Sequence, residues 1–384
     1  MQEHIAYFDN AATSFPKPET VYQAMDDCAR NYGVSMGRGQ HLLSARASFV
    51  ADETRELLLQ LFHCTNKKVV FTNTATEALN IILTSHIIPE GSTVYISPFE
   101  HNAVTRTLHH LSQEKKINVI QLVVNPDILC YDMKAIQQQF QEEPPHCVVI
   151  SHASNVTGAV APIRELFSLA KQHGAVTVAD MCQTAGLIDT DISSSDYDYV
   201  VFAGHKTLYG PLGISGFICQ YPEQLPPLIY GGTGIESANQ DMPITSPERF
   251  EAGSHSSIAI AGLNASVKWL LETGISNVYD REQENKRRLI ELLTQYDNIR
   301  ILHAEKQIGL VSCLFDRYSS DEIGQVLSEQ HIAFRSGLHC APYAHRFINT
   351  FPAGTVRFSV GYFNSDEDFS MLDHALQYLS LIHI

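Results

Sequence analysis

The chain has 384 residues, 44% hydrophobic and 18% charged, a balance with room for two packed domains and no reason for disorder. Its formal net charge of -16 argues against a nucleic-acid surface, which needs Lys and Arg to displace counterions from phosphates. No apolar run approaches the roughly 18 residues of a membrane span, and Met1-Gln2-Glu3-His4 lacks the basic and apolar regions of a secretion signal, so a cytoplasmic protein without membrane or nucleic-acid partners is expected.

The first 20 or so residues are expected to lie beside a smaller domain or along a larger one. From about residue 69 to 220, short β-rich runs alternate with helical patterns. Residues 69–71 read as a strand and 77–85 as a helix; 93–96 is a strand and 104–114 a helix. Further strands are read at 119–124, 147–151, 176–179, 199–202 and 214–219, and Pro162 opens a helix over 164–173, a position that proline tolerates. The alternation predicts an α/β domain with a mostly parallel sheet. The Gly- and Pro-rich stretch 222–253 has little periodicity and is too long for an ordinary connector, which suits a functional or interface element. Beyond residue 260 the pattern changes to helices at 261–271 and 280–296, short strands near 299–303 and 308–315, and helices at 321–330 and 366–380. A large domain over 15–260 and a smaller α+β domain over 1–14 and 261–384 are expected.

The eight cysteines, Cys28, Cys64, Cys130, Cys147, Cys182, Cys219, Cys313 and Cys340, are scattered, so CxxC motifs are absent and reduced, mostly buried thiols are expected. HExxH is also absent and no ligand spacing suggests a metal. Tyr230-Gly231-Gly232-Thr233-Gly234 lacks GK[ST] and is no P-loop, and His109-His110 falls in a helical pattern that suits a surface.

In parallel α/β sheets ligands bind where strands end and helices begin. After the strand at 69–71 comes Thr72-Asn73-Thr74-Ala75-Thr76-Glu77, a helix start that suits an anion as well as a plain Thr cap. Asn155 follows the strand at 147–151, Asp180 ends the strand at 176–179, and Lys206 follows the strand at 199–202, 26 residues after Asp180. Singly, Asp180 reads equally as a cap and Lys206 as a solvated loop lysine. In this order they are the parts of a pyridoxal phosphate (PLP) site: an anion pocket, a carboxylate that keeps the pyridine nitrogen protonated, and a lysine for the Schiff base.

With these residues in place the chain resembles the class V aminotransferase superfamily of fold type I PLP enzymes, and within it the SufS-like cysteine desulfurases. The resemblance runs nearly end to end. It is carried by Tyr7-Phe8-Asp9-Asn10-Ala11-Ala12-Thr13, Arg38-Gly39-Gln40-His41, Glu100-His101-Asn102-Ala103, Gly204-His205-Lys206, Phe250-Glu251-Ala252-Gly253-Ser254, Arg335-Ser336-Gly337-Leu338-His339-Cys340-Ala341 and Thr355-Val356-Arg357-Phe358-Ser359.

The resemblance implies a role for each residue. Lys206 would hold the cofactor, Asp180 would face the ring nitrogen and Gln183 the ring hydroxyl. His101 would stack on the ring and assist proton transfer. The Ala75 N–H, Thr76 and His205 would hold the phosphate, and Ser254 would reach the phosphate of a neighbouring subunit, which implies a homodimer. Asn155 would lie near ring and substrate, Arg357 would grip the substrate carboxylate with its two-pronged guanidinium, and Arg335 and His41 would line the mouth. Cys340 would take sulfur from L-cysteine as a persulfide, release alanine, and pass the sulfur to an acceptor protein or small thiol. Three departures stand out. Ala203 stands where many relatives carry Ser, Ser254 replaces Thr, and Leu338 replaces a His found in some relatives. Selenocysteine lyase or cysteine sulfinate desulfinase chemistry, which needs no thiol nucleophile, remains an alternative; an aminotransferase or a non-catalytic scaffold fits the residues less well.

Overall fold

Burial separates two kinds of strand in the computed structural model, which describes residues 4–37, 39–85 and 87–381. The first part of the chain holds β1 (Ala6–Tyr7), α1 (Glu19–Asn31), α2 (Leu42–Leu61), β2 (Lys68–Thr72), α3 (Ala75–Leu83), β3 (Thr93–Ile96), α4 (Asn102–Glu114), β4 (Asn118–Gln121), β5 (Val124–Asn125), β6 (Cys130–Tyr131), α5 (Met133–Glu142) and β7 (Cys147–Ser151). There follow α6 (Ile163–Gln172), β8 (Val176–Asp180), β9 (Tyr199–Ala203), β10 (Ser215–Cys219), α7 (Ser257–Thr273) and α8 (Ile275–Leu293). The chain closes with β11 (Ile299–Leu302), β12 (Leu310–Phe315), α9 (Ser320–Glu329), β13 (Ile332–Ala333), β14 (Arg335–Gly337), α10 (Pro342–Phe347), β15 (Thr355–Ser359) and α11 (Asp366–Leu381).

Seven strands form one sheet in the order β2-β10-β9-β8-β7-β3-β4, parallel except for β10, which runs against both neighbours. Every residue of β7, β9 and β10 is buried, so these strands read as continuous apolar runs, as strands covered on both faces do. The smaller sheet, β11-β12-β15-β14, is antiparallel, and β1 pairs in parallel with β13 beside it. The expected α/β architecture with a large, mostly parallel sheet is therefore present. Among the described residues no helix is long and apolar enough to cross a membrane.

Three features differ from the sequence expectation. α1 and α2 occupy a stretch to which periodicity assigns no element. The inward face of α2 consists of Ser44, Ala47, Ala51, Thr54, Leu58 and Leu61, while Leu42, Leu43 and Phe49 point outward, so its large apolar residues do not mark the core-facing side. α5, also unassigned, buries only Ile136 and Phe140 and is fixed by Asp132, which accepts from the N–H groups of Lys134 and Ala135. α7 runs unbroken through residue 261, the expected border of the large domain, and packs on α1 and α2.

Candidate active site

A parallel sheet sends the C-terminal ends of its strands to one edge, and there β7, β8 and β9 deliver Ser151, Asp180 and the loop after Ala203. A cavity of about 240 Å³ opens at that edge. It is lined by eight of the predicted residues: Ala75, Thr76, His101, Asn155, Asp180, Gln183, His205 and Lys206. Gly204, ahead of His205 and Lys206, donates to the Ile214 carbonyl at 3.1 Å, and a Cβ there would stand 2.6 Å from that oxygen. Only glycine lets the lysine loop lie this close to β10.

One end of the cavity suits an anion. Thr74 is the cap of α3, its hydroxyl accepting from the Glu77 N–H at 3.1 Å, so Thr76 is relieved of that task. The N–H groups of Ala75 and Thr76 belong to the first turn, where helices leave donors without intrahelical acceptors. His205 adds a buried Nδ1 with no partner among the described residues. Burial, helped by the charges of Lys206 and Lys17, pulls the His205 imidazole down to about 4, so it is a neutral ring able to donate.

The other end holds Asp180 and Lys206. Asp180 is 7% exposed, and one carboxylate oxygen accepts from the Cys182 N–H at 3.0 Å. His101 caps α4, its Nδ1 accepting from the Ala103 N–H at 3.0 Å, which puts the proton of the neutral ring on Nε2. Burial first, and then Lys206, Arg335 and Arg106 against the opposing Asp180, lower the His101 imidazole to about 4. Gln183 donates to the Ala11 carbonyl at 2.9 Å and so ties the N-terminal segment to the cavity wall. A phosphorylated pyridine aldehyde fits this set: an orphaned imidazole nitrogen and a helix start for phosphate, a buried carboxylate for the ring nitrogen, and an amine for the aldehyde.

The smaller sheet brings the remaining groups. Arg357, on β15, is 1% exposed. It donates from Nη1 to the Asn155 carbonyl at 2.9 Å and from Nη2 to Asp9 Oδ1 at 2.7 Å, and its Nε is buried without a partner among the described residues. Arg335 lies directly across from it in the β14–β15 register. Two like charges so placed repel, and Asp9 supplies the counter-charge, a residue to which the sequence reading assigned no role. An arginine inside a buried strand demands such a partner, and that demand was the available signal.

Cys340 follows β14 on a loop in which both His339 (φ 47°) and Cys340 (φ 58°) occupy the left-handed region, a conformation costing on the order of 1–3 kcal/mol per non-glycine residue. The Arg335 guanidinium stands 3.5 Å from its sulfur, and the Asn102 N–H donates to its carbonyl at 2.7 Å. Asn155 Nδ2 donates to the His339 carbonyl at 2.6 Å. Cys340 and Cys130 are the half-buried thiols, whereas the other six cysteines are buried. Burial holds Cys147 up at about 12 and raises the Cys182 thiol well above its usual range.

Two predicted residues stand apart from this cavity. His41 is exposed and caps α2, its Nδ1 accepting from the Ser44 N–H at 3.2 Å. Ser254 is exposed and lines a second cavity with Arg55, Glu251 and His255. Arg38 lies outside the described residues.

A family model described as aminotransferase class-V matches residues 6–372. The chain belongs to this family. It is 30% identical to a probable cysteine desulfurase of Pyrococcus abyssi, over 96% of this chain and 92% of that protein. It is 29% identical to a probable cysteine desulfurase of Vibrio cholerae, over 97% and 93%. Among solved structures, the apo cysteine desulfurase of Thermococcus onnurineus superposes with a TM-score of 0.89 at 26% identity, covering 98% of this chain and 94% of that one. A cysteine desulfurase of Escherichia coli shares the fold with a TM-score of 0.87 at 23% identity, covering 99% and 96%. Class-V enzymes of the desulfurase kind depend on PLP, the cofactor that the residues of this cavity fit.

Proposed function

We infer that this class-V enzyme is a PLP-dependent cysteine desulfurase that converts L-cysteine to L-alanine and carries the released sulfur as a persulfide on Cys340. The observation that carries the reading is the junction of two halves: the Lys206–Asp180 cavity and the Cys340 loop, joined by the hydrogen bond from the Asn102 N–H to the Cys340 carbonyl. A PLP lyase or aminotransferase needs the first half only. The SufS-like grouping is part of this reading and rests on the Arg335–Ala341 loop.

PLP, when bound, supplies the electron sink for the carbanion formed at the substrate α-carbon. The chain supplies the rest. Asp180 holds the proton on the ring nitrogen, and His101 lies along the cavity wall with its N–H on Nε2. Arg357 orients the substrate carboxylate through the donors that Asp9 and Asn155 leave free, Nε among them. Lys206, whose Nζ would hold the cofactor aldehyde, would also supply the base for the α-proton. The Cys340 thiolate then attacks the substrate sulfur: an S–S bond forms, the C–S bond breaks, and the electron pair stays with the carbon, which becomes the alanine methyl group on protonation.

Cys340 is half-buried rather than enclosed, which suits delivery of the sulfur to an acceptor protein or small thiol. A homodimer is part of the proposal: Ser254 lies exposed and away from its own chain's cavity, and Leu228, Ile229, Tyr230 and Ile244 expose apolar surface on the same segment. A cytoplasmic location agrees with eight free cysteines.

The reading is tested by incubating the holoenzyme with L-cysteine, L-selenocysteine or cysteine sulfinate, measuring alanine and the chalcogen product, and weighing the protein for one added sulfur. Alanine in step with a persulfide on Cys340 is expected from cysteine; alanine from selenocysteine alone would reassign the enzyme as a lyase. Arg357→Lys keeps the charge but loses the planar fork, so KM for cysteine is expected to rise by roughly 10–100-fold, the equivalent of about 1.5–3 kcal/mol, with a smaller change in kcat. An unchanged KM would remove Arg357 from the carboxylate site.

A further inference from the structure

Residues 100–102 reach three different parts of the site. Glu100, 0% exposed, accepts from Ser97 Oγ at 2.6 Å and from the Ser151 N–H at 2.7 Å through one oxygen, and from Ser151 Oγ at 2.7 Å through the other. Ser151 ends β7 and is the register neighbour of Asp180 on β8. His101 faces the cavity, and the Asn102 N–H holds the Cys340 carbonyl. The ring face, the ring-nitrogen carboxylate and the nucleophile loop thus converge on a tripeptide whose only deeply buried side chain is Glu100.

Nothing in the chemistry above uses Glu100. Among the described residues no cation pairs with it; the ionisable groups that act on it or feel its charge are Asp180 and the Tyr131 hydroxyl. Burial, with Asp180 adding to it, pushes the carboxyl up to about 7. A buried carboxyl without a cation costs stability; two of its three hydrogen bonds join the residue ahead of α4 to Ser151 at the end of β7, and the third, from Ser97, fixes it within the β3–α4 loop.

We propose that Glu100 is a positioning residue: by clamping Ser151 it sets His101 against Asp180 and, through Asn102, holds the Cys340 loop at the cavity. The inference rests on the assignment of His101 and Cys340 given above. A shift of the clamp misplaces reacting groups without removing one, and misplacement by about 1 Å costs up to roughly 10²-fold in rate.

The test compares Glu100→Ala and Glu100→Gln in the holoenzyme. Glu100→Ala is expected to retain bound cofactor and a KM for cysteine within about threefold of wild type, to lose about tenfold or more in kcat, and to change the rate of Cys340 alkylation by iodoacetamide. Gln accepts the same N–H and O–H with its carbonyl oxygen, and Ser151 Oγ can turn to accept from its amide, so Glu100→Gln should restore most of kcat. A wild-type kcat in the alanine variant, or a folded glutamine variant as slow as the alanine one, would overturn the proposal. Should Glu100→Ala not fold, Ser151→Ala removes the hydroxyl half of the clamp and leaves its N–H half; about a threefold fall in kcat at constant KM supports the tether, and an unchanged kcat together with an unchanged Cys340 alkylation rate refutes it. Wild-type enzyme that makes no alanine from cysteine would instead sink the desulfurase reading, while the alkylation rates, which need no turnover, would still report on the clamp.

Discussion

Cys340→Ser is expected to keep its cofactor and lose alanine release from L-cysteine by roughly 10³-fold or more. The substitution nearly conserves volume, so the loop at φ 58° and its hydrogen bond from Asn102 should persist. The chemistry changes because a serine hydroxyl is a far weaker nucleophile toward sulfur than a thiolate. Cofactor binding draws on Lys206, Asp180 and the start of α3, none of which the substitution touches. Mass spectrometry should find one added sulfur on the wild type after cysteine and none on the variant. Selenocysteine turnover is expected to survive, because selenium leaves without a thiol to receive it. Alanine output from cysteine at the wild-type rate would remove the persulfide step and leave a lyase that needs no nucleophile.

Lys206→Ala should abolish both the visible absorbance of lysine-bound cofactor and turnover. Among the cavity-lining residues Lys206 is the only primary amine. It would serve twice, first as the covalent anchor and then as base for the α-proton, and a positioned base alone contributes roughly 10²–10⁴ in rate. His101 is not placed to substitute: its Nδ1 is engaged with the Ala103 N–H and its Nε2 carries the proton. Borohydride reduction of the wild type followed by peptide mass spectrometry should locate the cofactor on Lys206, and the variant should yield no such peptide. Near-wild-type turnover by the alanine variant would mean that the cavity has been misassigned.

Much of this site could be read without coordinates because its groups follow buried strands. Asp180 ends β8 and the lysine loop comes directly after β9, and five-residue apolar runs such as β7 and β9 mark themselves. A parallel sheet then leaves those strand ends no freedom but to share one edge. The resemblance to class-V enzymes supplied what spacing could not, the assignment of Cys340 among eight cysteines.

What the linear chain determined by itself was therefore the α/β class and the residues at the strand ends, because continuous apolar runs and residue chemistry are local properties. Tertiary structure alone decided the pairings. Asp9 meets Arg357 across 348 positions, and Glu100 reaches Ser151 across 51. It also decided that α2 turns its small residues inward, and that His41 and Ser254 stand away from their own chain's cavity. The physical reason is common to all of these. A buried charge or carboxyl must find a partner, but which one it finds depends on the packing of layers and on surfaces brought together only after the sheets form, and no window of sequence contains both sides of such a contact.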